Sequence, residues 1–400
     1  MSGVFAGVRV IELAQYVYVP GAGVMLADQG AEVIKIEGVE GDPYRTLKIA
    51  GASRNFGSIN IAMEQNNRNK KSVALNLKTE EGREALLKLV ETADVFLTSL
   101  RPKAIRSLRL DVEDLRARNP RLIYVRGNGL GFRGAEADRP GFDASAFWAR
   151  GGACHAFTRP GEQPTSPRPA YGDHTGSMAI AFGIAGALFR RAMTGEPSVV
   201  ENSLLSTAAW VLSGDITAVQ VPGYMTHPPA RIKVPLKSAY VTRDGRIVQF
   251  MVLNPEPAWP GFCEAMGLPE VIHDPRFATE DARNRNADVL IPLIQEKFGA
   301  RDYAEWKPIL ASLDAPSELI SSIEDVANDP QVHANAMIQQ MAVGDQSIAI
   351  VAGPTAFDGQ PVAGTPRQAP ELGAHTEELL REVGYGRDAI ADMRARAVAK

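Results

Sequence analysis

The sequence has few cysteines, few aromatic residues and little net charge. Its 400 residues include two cysteines and 7% aromatic residues, and the formal net charge is −4. Cys154 and Cys263 lie far apart and show no spacing typical of a metal site. A disulfide framework is therefore excluded, and we expect two reduced thiols. The small, slightly acidic charge gives no electrostatic basis for binding nucleic acid.

Long apolar runs are also absent. No segment reaches the roughly 18 apolar residues of a membrane-spanning helix, and Met1–Val10 lacks the basic and then apolar pattern of a secretory signal. We therefore expect a cytoplasmic protein without a membrane partner. The 45% hydrophobic composition is ample for a buried core, and the 400-residue length exceeds one ordinary domain of about 100–200 residues. We expect either two domains or one large domain with an insertion.

The first half of the chain alternates between strand and helix patterns. Short β-branched runs at Val8–Leu13 and Ala31–Glu37 flank a small apolar segment, Gly21–Gln29, which stops at the helix-ending Gly30. This strand–helix–strand order predicts a parallel sheet. Further strands are predicted at 71–75, 94–98 and 122–125, and further helices at 79–91 with Thr79 as N-cap, at 111–118 and at 175–191.

The pattern changes after residue 213. A high density of proline between residues 220 and 235 predicts a linker. Ser238–Thr242 and Arg246–Val252 flank Asp244-Gly245, which predicts a β-hairpin. Helices are predicted at 259–266, 287–298 and 303–311. A small α/β insertion is therefore expected before another connector begins at Ser317.

The glycines after the first strand suggest a dinucleotide site, but the motif is incomplete. Gly21–Leu26 has the pattern GxGxxL, without the third glycine that packs the helix closely against the strand. Glu37 ends the second strand, where a ribose-binding acid would lie. Because the loop does not match, we do not expect nicotinamide or flavin binding.

Basic residues concentrate near the carboxyl ends of predicted strands, where open α/β sheets bind ligands. Such a set could hold the phosphates of a nucleotide. The alternative is ordinary solvated charge, since charge runs usually lie on the surface. The residues concerned are Arg68, Lys70, Lys71, Lys78, Arg101, Lys103, Arg106 and Arg126.

The strongest candidate for chemistry is Tyr171–Met178, which follows a proline-rich stretch and opens an apolar helical run. Asp173 is either an N-cap or a carboxylate nucleophile beside glycines that let a bulky substrate approach. His174 is adjacent in sequence and does not face it, so we expect it to be structural or solvent-facing. A second candidate region contains Asp143 and Arg150, which form either part of a pocket wall or a local ion pair.

A series of short segments carries a family resemblance along essentially the whole chain. They resemble class III CoA transferases, the formyl-CoA and carnitine CoA-transferase family, which also includes α-methylacyl-CoA racemase. The segments are Val10–Ala14, Gly30–Glu37, Gly41–Arg45, Asn69–Val73 with Leu77-Lys78, Ala93–Val95 with Arg101-Pro102, Asn119–Ile123, Tyr171–Asp173, Asp329–Gln331 and Ala369–Leu380.

The resemblance implies an α/β fold with a Rossmann-like large domain built from both chain ends, a small α/β domain and an interlocked homodimer. The expected large domain begins with residues 1–213, which hold the CoA site and Asp173. Residues 214–235 are then a linker and residues 236–316 the small domain. Residues 317–400 form a connector and return to the large domain.

The resemblance also implies the site. Asp173 is the catalytic aspartate, the substrates are an acyl-CoA and a carboxylic acid, and no metal or redox cofactor takes part. The substrate pocket is expected at Phe142, Asp143, Gly151 and Gly152. CoA contacts map onto Gln15, Tyr16, Val17, Leu75, Lys78, Ser99, Leu100, Arg101, Ala104, Arg106 and Arg126, although histidine is commoner in the family at position 15 and asparagine at position 99.

The implied function is transfer of CoA through an aspartyl-CoA thioester. The stretch Phe147–Gly152 resembles transferases acting on 2-hydroxy acids or other larger organic acids. One alternative is an acyl-CoA isomerase or racemase of the same family, and another is a non-catalytic CoA-binding protein. The racemase branch has Gly-His-Asp where this chain has Gly141-Phe142-Asp143, so a base for the second face of the α-carbon is missing.

Overall fold

The alternating strands and helices of the first half of the chain build one parallel sheet. The computed structural model describes residues 3–47, 55–165, 168–227, 234–313 and 315–400. The sheet has the order β5-β2-β1-β6-β7-β8 and all its neighbouring strands are parallel, as predicted. The strands are β1 Arg9–Leu13, β2 Glu32–Glu37, β3 Asn55–Phe56 and β4 Ile59–Asn60 (a separate ribbon), β5 Lys71–Ala74, β6 Val95–Thr98, β7 Ile123–Asn128 and β8 Val199–Ser203.

Helices connect these strands. Thr79 caps α3 as predicted, because its hydroxyl accepts the N–H of Gly82 at 3.1 Å. The helix that carries Asp173 begins at Tyr171, with Ala170 at its N-cap, so the interpretation of Asp173 as an N-cap is wrong. The helices are α1 Tyr18–Asp28, α2 Ile61–Asn67, α3 Glu80–Glu91, α4 Pro102–Leu108, α5 Val112–Arg116, α6 Ala153–Phe157, α7 Tyr171–Thr194, α8 Leu204–Val211 and α9 Ser213–Ala218, with a π-helical segment at Asp143–Arg150.

Apolar side chains cover the sheet on both faces. Successive residues of a strand point to opposite faces, and Val10 and Ile11 of β1 accordingly belong to two different buried clusters. One cluster contains residues of α3, and the other contains residues of α1 and α7. A sheet buried on both faces explains why a strand such as β6, with the sequence VFLT, is apolar in succession instead of alternating.

The insertion forms a second unit, residues 229–329. The predicted hairpin is confirmed, since β9 pairs with β10 in antiparallel register and Tyr240 opposes Val248. A third strand, β11, also pairs with β10, although it lies within residues that the sequence analysis assigned to a connector. The elements are β9 Ala239–Val241, β10 Ile247–Phe250, α10 Pro255–Met266, α11 Glu280–Arg285, α12 Ala287–Phe298, α13 Tyr303–Ala311, β11 Ser317–Leu319 and α14 Ile323–Ala327.

The last part of the chain returns to the first unit, which comprises residues 1–228 and 330–400. The N–H of Lys400 donates to the carbonyl of Ala74 at 3.2 Å, next to a bridge between Leu75 and Ala399. A hairpin, β12–β13, was not predicted from the sequence. The elements are α15 Pro330–Ala334, β12 Ile338–Val343, β13 Gln346–Val351, α16 Thr376–Glu382 and α17 Arg387–Ala395.

Other absences noted in the sequence can be compared with the described residues. Both cysteines are free, as predicted. Within the described ranges, no helix combines the length and the apolar character needed to cross a membrane. Residues 228–233 of the predicted linker lie outside the described residues.

Two members of the basic set are buried, so neither interpretation of that set applies to them. Arg68 is 1% exposed and forms two hydrogen bonds with Asp28, at 3.0 Å from Nε and 2.5 Å from Nη2. Lys70 is 5% exposed. These side chains are neither solvated surface charges nor available to a phosphate.

We predict that Asp28→Ala lowers the free energy of unfolding by about 3–5 kcal/mol, because it leaves the guanidinium of Arg68 buried without its partner. Glu196→Ala is the control, since it breaks an exposed pair with Arg190 that is worth about 0–1 kcal/mol. Urea unfolding of both variants measures the difference. Equal losses in the two variants would contradict a structural role for the buried pair.

Candidate active site

A pocket of about 360 Å³ lies at the carboxyl edge of the parallel sheet. From β1 the chain continues to β2 and β5 on one side of the sheet, and it later crosses to β6 on the other side of β1. The strand order therefore reverses between β1 and β6. Open α/β sheets bind their ligands at this point. The pocket brings together many of the residues named from the sequence, namely Gln15, Tyr16, Ser99, Leu100, Arg101, Ala104, Phe142 and Asp173.

The other expected CoA contacts do not line this pocket. Val17 and Leu75 are buried in apolar clusters, and Lys78 is exposed. Arg106 donates to Asp138 at 3.1 Å. Arg126 hydrogen-bonds to Glu201. Sequence reasoning also missed pocket residues, including Tyr18, Asn128, Arg139 and Leu204.

The loop after β1 is held in an uncommon conformation. Tyr16 has φ of +64°, in the left-handed region that few non-glycine residues adopt. Its backbone N–H donates to Asp42 Oδ1 at 3.3 Å, and the neighbouring N–H of Gln15 donates to Ser99 Oγ at 3.0 Å. The Tyr16 ring meets the edge of Phe142 at a centroid distance of 5.7 Å. The loops after β1 and β6 are therefore joined, and aromatic rings form one wall of the pocket.

A buried network of charges lies beneath this loop. Lys70 Nζ is 2.8 Å from Glu12 Oε2, and Lys35 Nζ is 2.9 Å from Asp42 Oδ2, with all four side chains inaccessible to solvent or nearly so. Lys35 also lies 3.5 Å from Glu12, which connects the two pairs. Burial lowers the pKa of Lys70 to about 8. A Cβ at Gly23 would overlap Glu12, so this glycine makes room for a buried carboxylate.

Asp173 lies in the first turn of α7 and is partly buried. Loss of solvent raises its pKa to about 7, and the charge of Asp143 adds to the shift. His174 is exposed, as expected, and its Nε2 lies 3.1 Å from Asn66 Oδ1. The pocket therefore contains a carboxyl group whose pKa is raised well above that of a solvated aspartate.

Two glycines beside Asp173 allow other side chains to approach α7 closely. A Cβ at Gly172 would overlap Phe147 and Asp143, and a Cβ at Gly176 would overlap the ring of Tyr18. The Tyr18 hydroxyl donates to Asn202 Oδ1, which also accepts from the Thr207 hydroxyl at 3.0 Å. These contacts hold the first turns of α7 against α1 and α8.

Neither sequence-based interpretation of Asp143 and Arg150, as part of a pocket wall or as a local ion pair, matches the structure. Arg150 pairs with Glu136, so an ion pair between Asp143 and Arg150 is wrong. Asp143 is buried and accepts the N–H of Gly172 at 3.0 Å. Gly151 packs so closely on Ala208 that a Cβ would overlap it, and Gly152 has φ of +88°. Asp143, Gly151 and Gly152 support the structure behind the pocket and do not line it.

Comparison with known proteins agrees with this arrangement. A family model described as CoA-transferase family III matches residues 5–376. The (R)-2-hydroxy-4-methylpentanoate CoA-transferase of Clostridioides difficile is 32% identical over 386 residues, which cover 96% of each chain. The cinnamoyl-CoA:phenyllactate CoA-transferase of Clostridium sporogenes is 33% identical over 400 residues, covering 98% of this chain and 96% of its own.

A solved structure, of a CAIB/BAIF family protein from Brucella suis, matches with a TM-score of 0.82 and 27% identity over 96% of this chain and 100% of that one. The parallel sheet, with a pocket and a partly buried carboxyl group at its carboxyl edge, defines an α/β protein with an enzyme-like site. The chain belongs to CoA-transferase family III, and it is an enzyme of the CoA-transferase class.

We predict that Gly176→Ala impairs the enzyme, because the added methyl group would displace the Tyr18 ring that packs beside Asp173. Overpacking of this kind costs about 1–3 kcal/mol. Gly261→Ala, in α10 of the second unit, is the control: a Cβ there meets nothing within 4 Å, so it should stabilise that helix by about 0.5–1 kcal/mol. Thermal unfolding and initial rates of CoA transfer test both variants, and an unimpaired Gly176→Ala variant would contradict the packing argument.

Proposed function

We propose that this enzyme moves CoA from an acyl-CoA donor to a free carboxylic acid through an aspartyl-CoA thioester on Asp173. The observation that supports it most directly is the position of Asp173 in the pocket that also contains Gln15, Tyr16 and Ser99. In this proposal the loops after β1 and β6 hold the CoA arm. Arg101 and Arg139, on the same wall, supply positive charge for its phosphates.

The chemistry follows from what a carboxylate can do. Ionised Asp173 attacks the thioester carbonyl of the donor, which releases CoA thiolate and leaves a mixed anhydride. The thiolate attacks the aspartyl carbonyl, forms the aspartyl-CoA thioester and releases the first acid. The acceptor carboxylate then attacks this thioester and the same two steps run in reverse. Covalent steps conserve the thioester energy, provided that water is kept away from the anhydride.

The burial of Asp173 suits this role. A carboxylate with a pKa of about 7 is a stronger base than a solvated one, and it still ionises near neutral pH. The same loss of solvent that raises the pKa also limits attack by water on the acylated form. The free CoA thiolate produced in the first step stays bound and is the next nucleophile.

We further propose that the acid substrate is a 2-hydroxy acid with an apolar side chain. Tyr16, Phe142 and Leu204 provide an apolar wall close to Asp173. The two relatives from Clostridioides difficile and Clostridium sporogenes are named for 2-hydroxy-4-methylpentanoate and phenyllactate. Both acids carry a hydroxyl beside the carboxylate and a bulky apolar group, which such a wall accommodates.

Racemase chemistry fits this pocket less well. Racemisation requires a base on each face of the α-carbon. Among the described residues that line the pocket, Asp173 is the single carboxylate and no histidine is present. Phe142 occupies the position where the racemase branch has histidine. The proposal is therefore a transferase, and a binding protein without turnover is the outcome that the covalent test below would reveal.

We also propose that the enzyme is a homodimer. Large apolar side chains are exposed along one side of α7 and on α8: Phe182 is 80%, Phe189 69%, Met193 70% and Trp210 79% exposed. Several large exposed apolar side chains on one helix face usually mark an interface. A second copy of the chain is the occupant that the family resemblance implies.

We predict that Asp173→Ala reduces CoA transfer below about one-thousandth of the wild-type rate, because it removes the nucleophile. Mass spectrometry of wild-type protein incubated with a panel of acyl-CoAs, with hydroxylamine as trap, should find a CoA adduct or a hydroxamate on the Asp173 peptide. Asp345→Asn, at an exposed turn, is the control and should behave like wild type. Wild-type turnover by Asp173→Ala would disprove the mechanism.

We predict a dimer in solution that a charge on the apolar face weakens. In light scattering after size exclusion, the wild type should have twice the mass of one chain and Phe182→Glu should shift toward the monomer. Val4→Glu, at another exposed apolar residue (51% exposed), should leave the dimer intact. A monodisperse active wild-type monomer would contradict the proposal.

A further inference from the structure

We propose that Asp143 is a positioning residue that fixes the first turn of α7 and so sets both the orientation and the ionisation of Asp173. This inference rests on the proposed function for its catalytic consequence. It assigns Asp143 a role in the reaction different from the pocket contact expected from the sequence, because Asp143 acts through the nucleophile and does not line the pocket.

The residue at the N-cap of α7 provides no capping side chain for the first turn of the helix. The N-cap of α7 is Ala170, in the left-handed region with φ of +69° and without any side-chain hydrogen bond to the first turn. The first N–H groups of a helix require partners from elsewhere. Asp143 supplies one: its Oδ1 accepts the N–H of Gly172 at 3.0 Å, and the nearby backbone N–H groups of Ala170 and Tyr171 also favour its ionised form.

The position of Asp143 is itself fixed. It is 9% exposed and is the first residue of the π-helical segment. Just before it, the N–H of Phe142 donates to Ser145 Oγ at 3.0 Å, which orders the start of this segment. A Cβ at Gly172 would overlap Asp143 Oδ1, so that glycine is what allows the carboxylate to reach the helix. Asp143 therefore holds Gly172, the residue immediately before Asp173, by a hydrogen bond to its backbone N–H.

A second consequence is electrostatic. Burial raises the pKa of Asp143, but the three backbone N–H groups favour its ionised form and oppose that rise. No hydrogen-bond donor of this kind among the described residues lowers the pKa of Asp173. Burial and then the charge of Asp143 raise that pKa to about 7. The other ionisable groups around the pair are Tyr18 on α1 and Arg101 and Arg139 on the pocket wall. Of two neighbouring carboxyls, the one with the better donors keeps the charge.

Two substitutions separate the mechanical effect from the electrostatic one. Asp143→Asn keeps an oxygen that accepts the helix N–H groups and removes the charge. Asp143→Ala removes both. Asp173 must be ionised to attack, so kcat/KM of the wild type should fall as the pH drops below about 7. In Asp143→Asn this acidic limb should move to lower pH, and the ratio of variant to wild-type kcat/KM should rise several-fold from pH 8 to pH 6.

The alanine variant tests orientation. We expect kcat to fall by about tenfold to a hundredfold, as for a small misplacement of a reacting group, while KM for the acyl-CoA stays within about twofold because the pocket wall is intact. Asp143→Asn should retain most of kcat at pH 8. A pH profile of Asp143→Asn that coincides with that of the wild type, or an alanine variant with wild-type kcat, would overturn the inference.

A measurement without turnover distinguishes failure of this inference from failure of the proposed function. Because the pKa of Asp173 is raised in the folded protein, its protonated form adds stability below about pH 4, and that stability is lost as the pH rises through about 7. The stability of the wild type relative to Asp173→Asn should therefore fall over this range. In the Asp143→Asn background the fall should be smaller and end at lower pH.

If this smaller fall appears and no variant transfers CoA, the proposed function is wrong and the coupling between the two carboxyls holds. An identical fall in both backgrounds would refute the coupling whether or not transfer is observed.

Discussion

The buried chain of charges formed by Lys70, Glu12, Lys35 and Asp42 is the constraint on which the pocket depends. Each ion costs several kcal/mol to remove from water, so the chain persists only because every member has a partner within the core. Its members come from β1, β2, the loop after β2 and the residue before β5. Asp42 also accepts the N–H of Tyr16, and the network thereby holds the loop after β1 in its left-handed conformation.

The pocket thus has two sides. One is the joined pair of loops after β1 and β6, and the other is the first turn of α7, which carries Asp173. Gly172 and Gly176 let Phe147 and Tyr18 approach that turn closely, and close approach excludes water from around Asp173. Exclusion of water raises the pKa of Asp173. The raised pKa of Asp173 therefore depends on small residues at two positions in the helix.

Local patterns in the sequence were enough to predict the parallel sheet, the helix cap at Thr79 and the nucleophile candidate, because each depends on neighbouring residues. Partners distant in sequence could not be predicted. Lys70 resembles any solvated lysine until Glu12, 58 positions away, is found beside it. Arg126 likewise pairs with Glu201, on the adjacent strand. Residue type alone does not reveal burial, so the sequence analysis could not distinguish buried Lys70 from a solvated lysine, and it did not name Tyr18 among the pocket residues.

The chemistry open to Asp173 depends on the other side chains that line the pocket, and on Phe142 in particular. A histidine at position 142 would add a second base to the pocket that Asp173 lines. Phenylalanine there cannot take a proton, and its ring instead packs edge-on against Tyr16. Racemisation needs a base on each face of the α-carbon, and among the described residues that line the pocket Asp173 is the single carboxylate. A single poorly solvated carboxyl group among the described pocket residues suits the proposed attack on a thioester carbonyl better than it suits racemisation.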